Sequence, residues 1–187
     1  MKSELDSHFI EPRVSYCRRS LVMSIWEGGA LKMMRAMDVA RWFVAWAENI
    51  DAEVSNLKLQ KLLYYAQGHH MAVNGTPLFS DDLQAWAHGP VVPSVYHAYK
   101  KYNRGPIDPD EALGDDFDWG DFRDIENFLI DIWDRYGALA AWALRERTHR
   151  EAPWRDAFNE DTRGTVITKD SILEYFIAPN SAAGDGR

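Results

Sequence analysis

The segment 56–102 constrains the fold of this chain more than any other part of the sequence. In its first half, three leucines and an alanine recur at the spacing of one helical face (Leu59, Leu62, Leu63, Ala66). Asn74-Gly75 then ends the helix, because glycine tolerates the left-handed conformation at a helix C-terminus. The pattern predicts an amphipathic helix from Ser55 or Asn56 to about Val73, with the apolar stripe in the core.

The second half of this segment contains a stiff aromatic corner. Gly89 relieves crowding at a tight turn, and two prolines restrict the backbone around it. The residues that define the corner are Trp86, Gly89, Pro90, Pro93 and Tyr96. Because Gly-Pro turns mostly serve geometry, we predict that the corner locks a hairpin against the next helix. The alternative is a rigid loop that presents His88 to a partner.

Hydrophobic periodicity predicts five further helices, near residues 38–49, 93–103, 125–136, 138–147 and 171–176. In the fourth of these, Leu139 and Trp142 are expected to face inward. Alternation over 83–87 predicts one or two short strands with a turn at 80–82, and Pro153-Trp154 is assigned to a loop. The predicted fold is mainly α (α+β): a compact helical domain of about five to six helices with a small β-hairpin.

The chain is expected to contain one domain with two flanking segments. Residues 1–34 mix charge, proline and glycine without a sustained period, and residues 179–187 are small and polar. We therefore predict an N-terminal extension (1–34), a globular domain (35–178) and a disordered C-terminal tail (179–187).

Composition disfavours several classes of protein. The net charge is −8, and residues 105–187 carry nine Lys/Arg against nineteen Asp/Glu, so general nucleic-acid binding is unlikely on electrostatic grounds. The single cysteine, Cys17, cannot form an internal disulfide or a cysteine-rich zinc site. No apolar run reaches the roughly 20 residues of a membrane helix. These features predict a soluble cytoplasmic protein without a membrane partner.

No motif for catalysis or cofactor binding is found. The six histidines include no His-Glu-x-x-His pair, and the sequence has neither a Gly-x-Ser-x-Gly elbow nor a phosphate-binding Gly-Lys-Ser/Thr loop. We predict no catalytic residue, no metal and no cofactor, and hence not an enzyme. The enzymatic alternative requires a pocket in which His88, His97 or His149 lies beside a carboxylate.

Basic and aromatic residues provide candidates for a partner-binding surface. Lys58, Lys61 and Tyr65 recur at i, i+3 and i+7 beside the leucine stripe. Lys100 and Lys101 follow near the end of the predicted helix 93–103. Most surface lysines only solvate their helix. The second interpretation is that these five residues, together with His88, contact a protein partner.

Several of these motifs, taken in order, resemble the Panacea domain family of SocA-like antitoxins, which also includes phage-associated GepA-type proteins. The resemblance covers roughly residues 37–177. It rests on the helix 57–67, the corner from Ala85 to Tyr96, and Thr148-His149 followed by Glu151-x-Pro153-Trp154.

This resemblance implies an antitoxin that binds and neutralises a cognate protein toxin. Neutralisation would occur by direct complex formation or, as a proteolytic adaptor, by delivery of the toxin to the ClpXP protease. The alternatives are a DNA-binding autorepressor and a phage-associated protein-interaction module. The family supplies no catalytic residues, and the chain has no recognisable helix-turn-helix segment, which weighs against DNA binding.

Overall fold

Eight α-helices and three short strands form the part of the chain that the structure, a computed structural model, describes: residues 33–178. In chain order the elements are α1 (Ala36–Asn49), α2 (Asn56–Asn74), β1 (Leu83–Trp86), β2 (Gly89–Val91), α3 (Pro93–Tyr99), α4 (Pro109–Leu113), α5 (Glu126–Tyr136), α6 (Ala141–Arg150), α7 (Ala152–Ala157), β3 (Thr165–Ile167) and α8 (Lys169–Ile177). Two 3₁₀ turns, Lys100–Tyr102 and Trp119–Phe122, complete them. The predicted extension, except Met33 and Met34, and the predicted tail lie outside the described residues.

Helix α2 lies at the centre of the fold. Ser55 caps its first turn, and Gly75 closes it in the left-handed conformation with φ of 70°. The predicted stripe is confirmed, since Leu59, Leu62, Leu63 and Ala66 are fully buried. The helix also contacts α1, α3, α5, α6, α8 and β2. Because neighbours surround it, every residue from 59 to 68 is buried, including those outside the stripe.

The strands form a small antiparallel sheet in the order β2-β1-β3. The hairpin β1-β2 turns at Ala87-His88, so the prediction of a hairpin turn at residues 80–82 is wrong. Asp81 has another role: its carboxylate accepts hydrogen bonds from the Ala36 amide at 2.9 Å and the Ser94 hydroxyl at 3.1 Å. It therefore joins the starts of α1 and α3. Pro90 lies in an edge strand, where a missing N–H is tolerated.

The predicted fold class, mainly α with a small β element, is confirmed, although several helix boundaries differ. Helix α1 begins two residues early, and the Asp38 carboxylate in its first turn accepts hydrogen bonds from the Arg35 amide at 3.3 Å and from Arg35 Nε at 2.9 Å. Helix α6 begins three residues late, at Ala141, and α7 covers the Pro153-Trp154 segment that was predicted as a loop. None of the helices within residues 33–178 has both the length and the apolar composition needed to cross a membrane.

Candidate functional site

The three separated sequence motifs meet at one place, where α2, the β1-β2 hairpin, α6 and α7 pack together. We call this region the motif junction. It is formed by Lys61, Tyr65, Trp86, Gly89, Pro90, Thr148, His149, Glu151, Pro153 and Trp154. The motifs are therefore parts of one three-dimensional arrangement.

Lys61 is the central cation of the motif junction. Its side chain is fully buried, and its Nζ donates a hydrogen bond to the Pro90 carbonyl at 2.7 Å. Burial, reinforced by the positive charge of Arg145, holds the pKa of Lys61 well below its usual range. Gly89, with φ of +101°, lies directly beside the ammonium group. A Cβ at that position would lie 2.7 Å from Lys61 Nζ and 2.8 Å from Thr148 Oγ1.

Glu151 is the buried carboxylate of the motif junction. It accepts a hydrogen bond from the Tyr65 hydroxyl at 3.0 Å and faces Arg147, with 3.7 Å between Nε and Oε1. The Tyr65 ring stacks on Tyr136 at 3.9 Å between centroids. Burial raises the pKa of Glu151 to about 7, although the neighbouring Tyr64 and Tyr65 hydroxyls and the positive charge of Arg147 act to lower it. The group connects α2 to the end of α6.

His149 and Trp154 form the aromatic part of the motif junction. Their rings stack at 3.8 Å, and Trp154 also stacks on Phe158 at 4.6 Å. Trp154 Nε1 donates to the carbonyl of Trp86 at 2.9 Å, which attaches α7 to the end of β1. Burial, with the charges of Arg145 and Lys61, lowers the pKa of His149 to about 4.

These two shifts predict pH dependences of opposite sign. The pKa of Glu151 is raised from 4.5 to about 7. Its contribution to the free energy of unfolding is therefore fully present below pH 4.5 and is lost as pH rises through about 7. The pKa of His149 is lowered from 6.5 to about 4. Its contribution to the free energy of unfolding is therefore present above pH 6.5 and is lost as pH falls through about 4. The two effects largely cancel in the native chain between about pH 5 and pH 6.5.

If either Glu151 or His149 is replaced, the pH dependence of stability that the other residue causes should become measurable. Relative to the native chain, Glu151→Gln should stabilise the fold increasingly as pH rises from about 5 to 7, by up to about 3 kcal/mol. His149→Phe, which keeps the ring stack, should show the opposite trend, with its largest relative gain at low pH. Urea unfolding across this pH range measures both. Two variants with the same pH trend would contradict the assignment.

A surface lies directly outside the motif junction, and we call it the Trp142 face: His88 and Trp142, which are exposed, and Arg145, whose side chain is 17% exposed. The Arg145 guanidinium lies 4.3 Å over the Trp142 ring, and its N–H groups point to His88 Nδ1 and the Ala87 carbonyl, each at 3.4 Å. The Trp142 side chain is 58% exposed. The prediction that Leu139 and Trp142 face inward is wrong, because Leu144 and Thr148 are the α6 residues buried in the core.

The predicted partner-binding residues do not form one surface. Lys61 and Tyr65 are buried, so the prediction that they lie on an exposed stripe is wrong; α6, the hairpin and α5 cover that side of α2. Lys58 is half-buried, with Nζ 5.4 Å from the Trp133 ring centre, and burial lowers its pKa. Of the group on α2 and the hairpin, only His88 is fully exposed.

Lys100 and Lys101 belong to another part of the fold. They are exposed on the 3₁₀ turn after α3, where the Lys101 ammonium pairs with the Glu111 carboxylate of α4. Their role as toxin contacts stays a prediction.

The corner residues surround the motif junction. Trp86 packs edge-to-face against Tyr96 at 4.9 Å, Pro93 begins α3, and Pro153 is buried in the first turn of α7. Sequence reasoning missed Trp142 and Arg145. The sequence showed their i, i+3 spacing on an amphipathic helix, but it did not show which side of that helix faces the core.

Two pockets among residues 33–178 bear on the enzymatic alternative. Neither the groove between α7 and α8 nor the pocket between α1, α3 and α4 is lined by a histidine. Within residues 33–178, no group of three His, Cys, Asp or Glu side chains is placed to share a metal ion.

Comparison with known proteins identifies the family of this chain. The model of the antitoxin SocA-like, Panacea domain family matches residues 59–155, just over half of the chain. The chain therefore belongs to this family. It is also similar to antitoxin SocA of Caulobacter vibrioides (strain NA1000 / CB15N), with 42% identity over 64 residues. That alignment covers 34% of each chain, so it spans about a third of the relative's length. No solved structure matches the chain.

The family match contains the complete motif junction, since it begins at Leu59 and ends at Arg155. Membership supports an antitoxin role and, with it, a protein partner.

Proposed function

We propose that this chain is an antitoxin that binds and neutralises a cognate protein toxin, and that the Trp142 face contacts the toxin. The observation that carries the proposal is a largely exposed tryptophan with an arginine stacked on it, directly outside the motif junction that the family model spans. Tryptophan and arginine are the residues most enriched among those that dominate binding energy at interfaces.

Arg145 is held in position before any partner arrives. Its guanidinium is fixed by stacking on Trp142, by the hairpin turn and by an ion pair with Glu146. Less side-chain entropy is therefore lost on binding than for a free surface arginine. The buried motif junction keeps the hairpin and α6 together, and so maintains the distance between His88 and Trp142. This face fits a toxin surface with an apolar recess beside a carboxylate.

We infer direct complex formation as the first route of neutralisation. Delivery to ClpXP would need a second surface for the protease, in addition to the toxin contact. The two routes differ in toxin lifetime: an adaptor shortens it only when the protease is present, whereas a simple inhibitor leaves it unchanged.

Co-expression with the product of the adjacent gene tests the function. We expect that product to arrest growth alone, and the native chain to restore growth and co-purify with it. If the product is not toxic, or if the chain neither rescues growth nor forms a complex, the antitoxin proposal fails.

Alanine substitutions test the face. Trp142→Ala and Arg145→Ala should each weaken toxin binding by about thirtyfold, which corresponds to roughly 2 kcal/mol at a dominant contact. Trp119→Ala is the control, because Trp119 is 39% exposed and packs against Trp42, Trp46 and Phe117, which are not part of the Trp142 face. Calorimetric titration measures the affinities, and circular dichroism checks the fold. Equal affinities for Trp142→Ala and Trp119→Ala would exclude this face while leaving the antitoxin role intact.

A further inference from the structure

A groove of about 460 Å³ runs beside β3, with α7 on one wall and α8 on the other. Its apolar lining comes from Ala152, Pro153 and Ala157 of α7, Val166 of β3 and Tyr175 of α8. The Val166 side chain is 44% exposed in an otherwise short and well-packed sheet. The groove shares no residue with the Trp142 face.

The strand beside this groove has an open edge. Within residues 33–178 the sheet order is β2-β1-β3, so β3 pairs with β1 on one side and with no described strand on the other. Proteins usually protect such an edge by keeping the strand very short, or with lysine, proline or a bulge. The strand Thr165-Val166-Ile167 is short, but it contains no lysine or proline, and its three residues are β-branched, which favours strand pairing.

The charge around the groove has one sign. Asp156 and Glu174 line it, and no lysine, arginine or histidine does. Arg155 pairs with Asp156 at 2.9 Å from outside the lining, and both side chains are more than half exposed. Lys169 is directed to the Ser80 carbonyl and the Asp82 carboxylate, and Arg163, two residues before β3, does not line the groove. The groove therefore favours a positively charged occupant.

We propose that this groove binds an extended, basic peptide segment of a protein partner. The segment adds a strand to the open edge of β3, and its main-chain groups form the hydrogen bonds that the edge offers. Alternate side chains then contact Val166 and the apolar walls, while Lys or Arg side chains reach Asp156 and Glu174. The inference rests on these observations alone and does not depend on the toxin or its contact face.

Binding of a designed probe to the full-length chain tests the proposal. The probe is a short fluorescein-labelled peptide of alternating Lys and Val, and fluorescence anisotropy measures its affinity. We expect binding that weakens as salt is added, and shifts in the amide NMR signals of residues 165–168. A peptide of alternating Glu and Val, and a Lys-Val peptide with alternate amides N-methylated, should both bind at least about tenfold more weakly.

A matched pair of double variants separates a specific site from general attraction to an acidic protein. Asp156→Lys with Glu174→Lys should reduce affinity for the Lys-Val peptide by about tenfold or more. Asp121→Lys with Asp124→Lys makes the same change in net charge on an exposed segment and should retain most of the affinity. Equal losses in both pairs, undiminished binding of the N-methylated peptide, or no binding of any peptide would overturn the proposal. Toxin neutralisation is not part of this readout, so the two proposals fail independently.

Discussion

Replacing Gly89 by alanine should destabilise the fold by about 3 kcal/mol or more. Two causes combine. At φ of +101° an L-residue is strained, and the new Cβ would lie within 2.8 Å of the Lys61 side chain and the Thr148 hydroxyl. Because Lys61 is fully buried, it cannot move away without losing its hydrogen bond to the Pro90 carbonyl. Urea unfolding measures the change.

Gly75→Ala is the matched control for Gly89→Ala. Gly75 also has a left-handed backbone, with φ of +70°, but no atom lies within 4 Å of an added Cβ. Gly75→Ala should therefore lower the free energy of unfolding by only about 1 kcal/mol, which is the contribution of backbone strain alone. The difference between the two variants then measures the collision with Lys61 and Thr148 together with the greater backbone strain at φ of +101°. Equal losses would show that Gly89 serves only its own backbone geometry, and that the motif junction is less tightly packed than the distances indicate.

Trp154→Ala should cost about 3–5 kcal/mol, as expected for removing a buried tryptophan. The substitution removes the stacks on His149 and Phe158 and the hydrogen bond to the Trp86 carbonyl, which together hold α7 on the sheet. Trp154→Phe keeps an aromatic ring and loses the hydrogen bond, so its cost should be only about 1 kcal/mol. Thermal and urea unfolding of both variants measures these losses.

Trp142 provides the contrast to Trp154. Being 58% exposed, Trp142 should contribute little to stability and much to toxin binding, whereas Trp154 contributes mainly to stability. If Trp154→Phe were as damaging as Trp154→Ala, the hydrogen bond to Trp86 rather than ring packing would be the main attachment of α7. If Trp142→Ala unfolded the chain, its effect on toxin binding could not be assigned to a contact.

The buried polar groups explain why the Gly-Pro corner has its particular sequence. Of the two interpretations considered from sequence, the structural corner accounts for Gly89 and Pro90, which accommodate and bind the Lys61 ammonium. The presenting loop accounts for His88, which is exposed at the hairpin turn beside Arg145. The same turn thus packs inward through its glycine and proline and faces solvent through its histidine.

Local sequence patterns predicted where the helices lie better than they predicted which side chains are buried. The leucine stripe and the Ser55 and Gly75 caps placed α2 correctly, because spacing and capping are properties of a few neighbouring residues. The same reasoning failed for α6, whose buried residues are Leu144 and Thr148, while Leu139 lies before the helix begins. Each residue along a helix rotates the side chain by about 100°, so Trp142, two residues before Leu144, lies about 200° away on the opposite, exposed side.

The candidate site was predicted in parts. The motifs around Lys61, Gly89 and Glu151 were recognised, but nothing in their separation along the chain indicates that they touch. Lys61 and Tyr65 were placed on the surface because a lysine beside a leucine stripe is normally solvated. They are buried because Pro90 supplies an acceptor for one and Glu151 for the other, and both acceptors come from distant parts of the chain.

The sequence by itself therefore determined the helical class, the central helix and the chemical character of each motif, since these depend on local spacing and residue type. Only the tertiary structure decided which side of α2 meets solvent, that the motifs form one buried junction, and that Trp142 and Arg145 lie outside it. The physical reason is that burial of a charge or a hydroxyl depends on a partner supplied from elsewhere in the chain. Such partners are visible only once the helices and the hairpin are packed together.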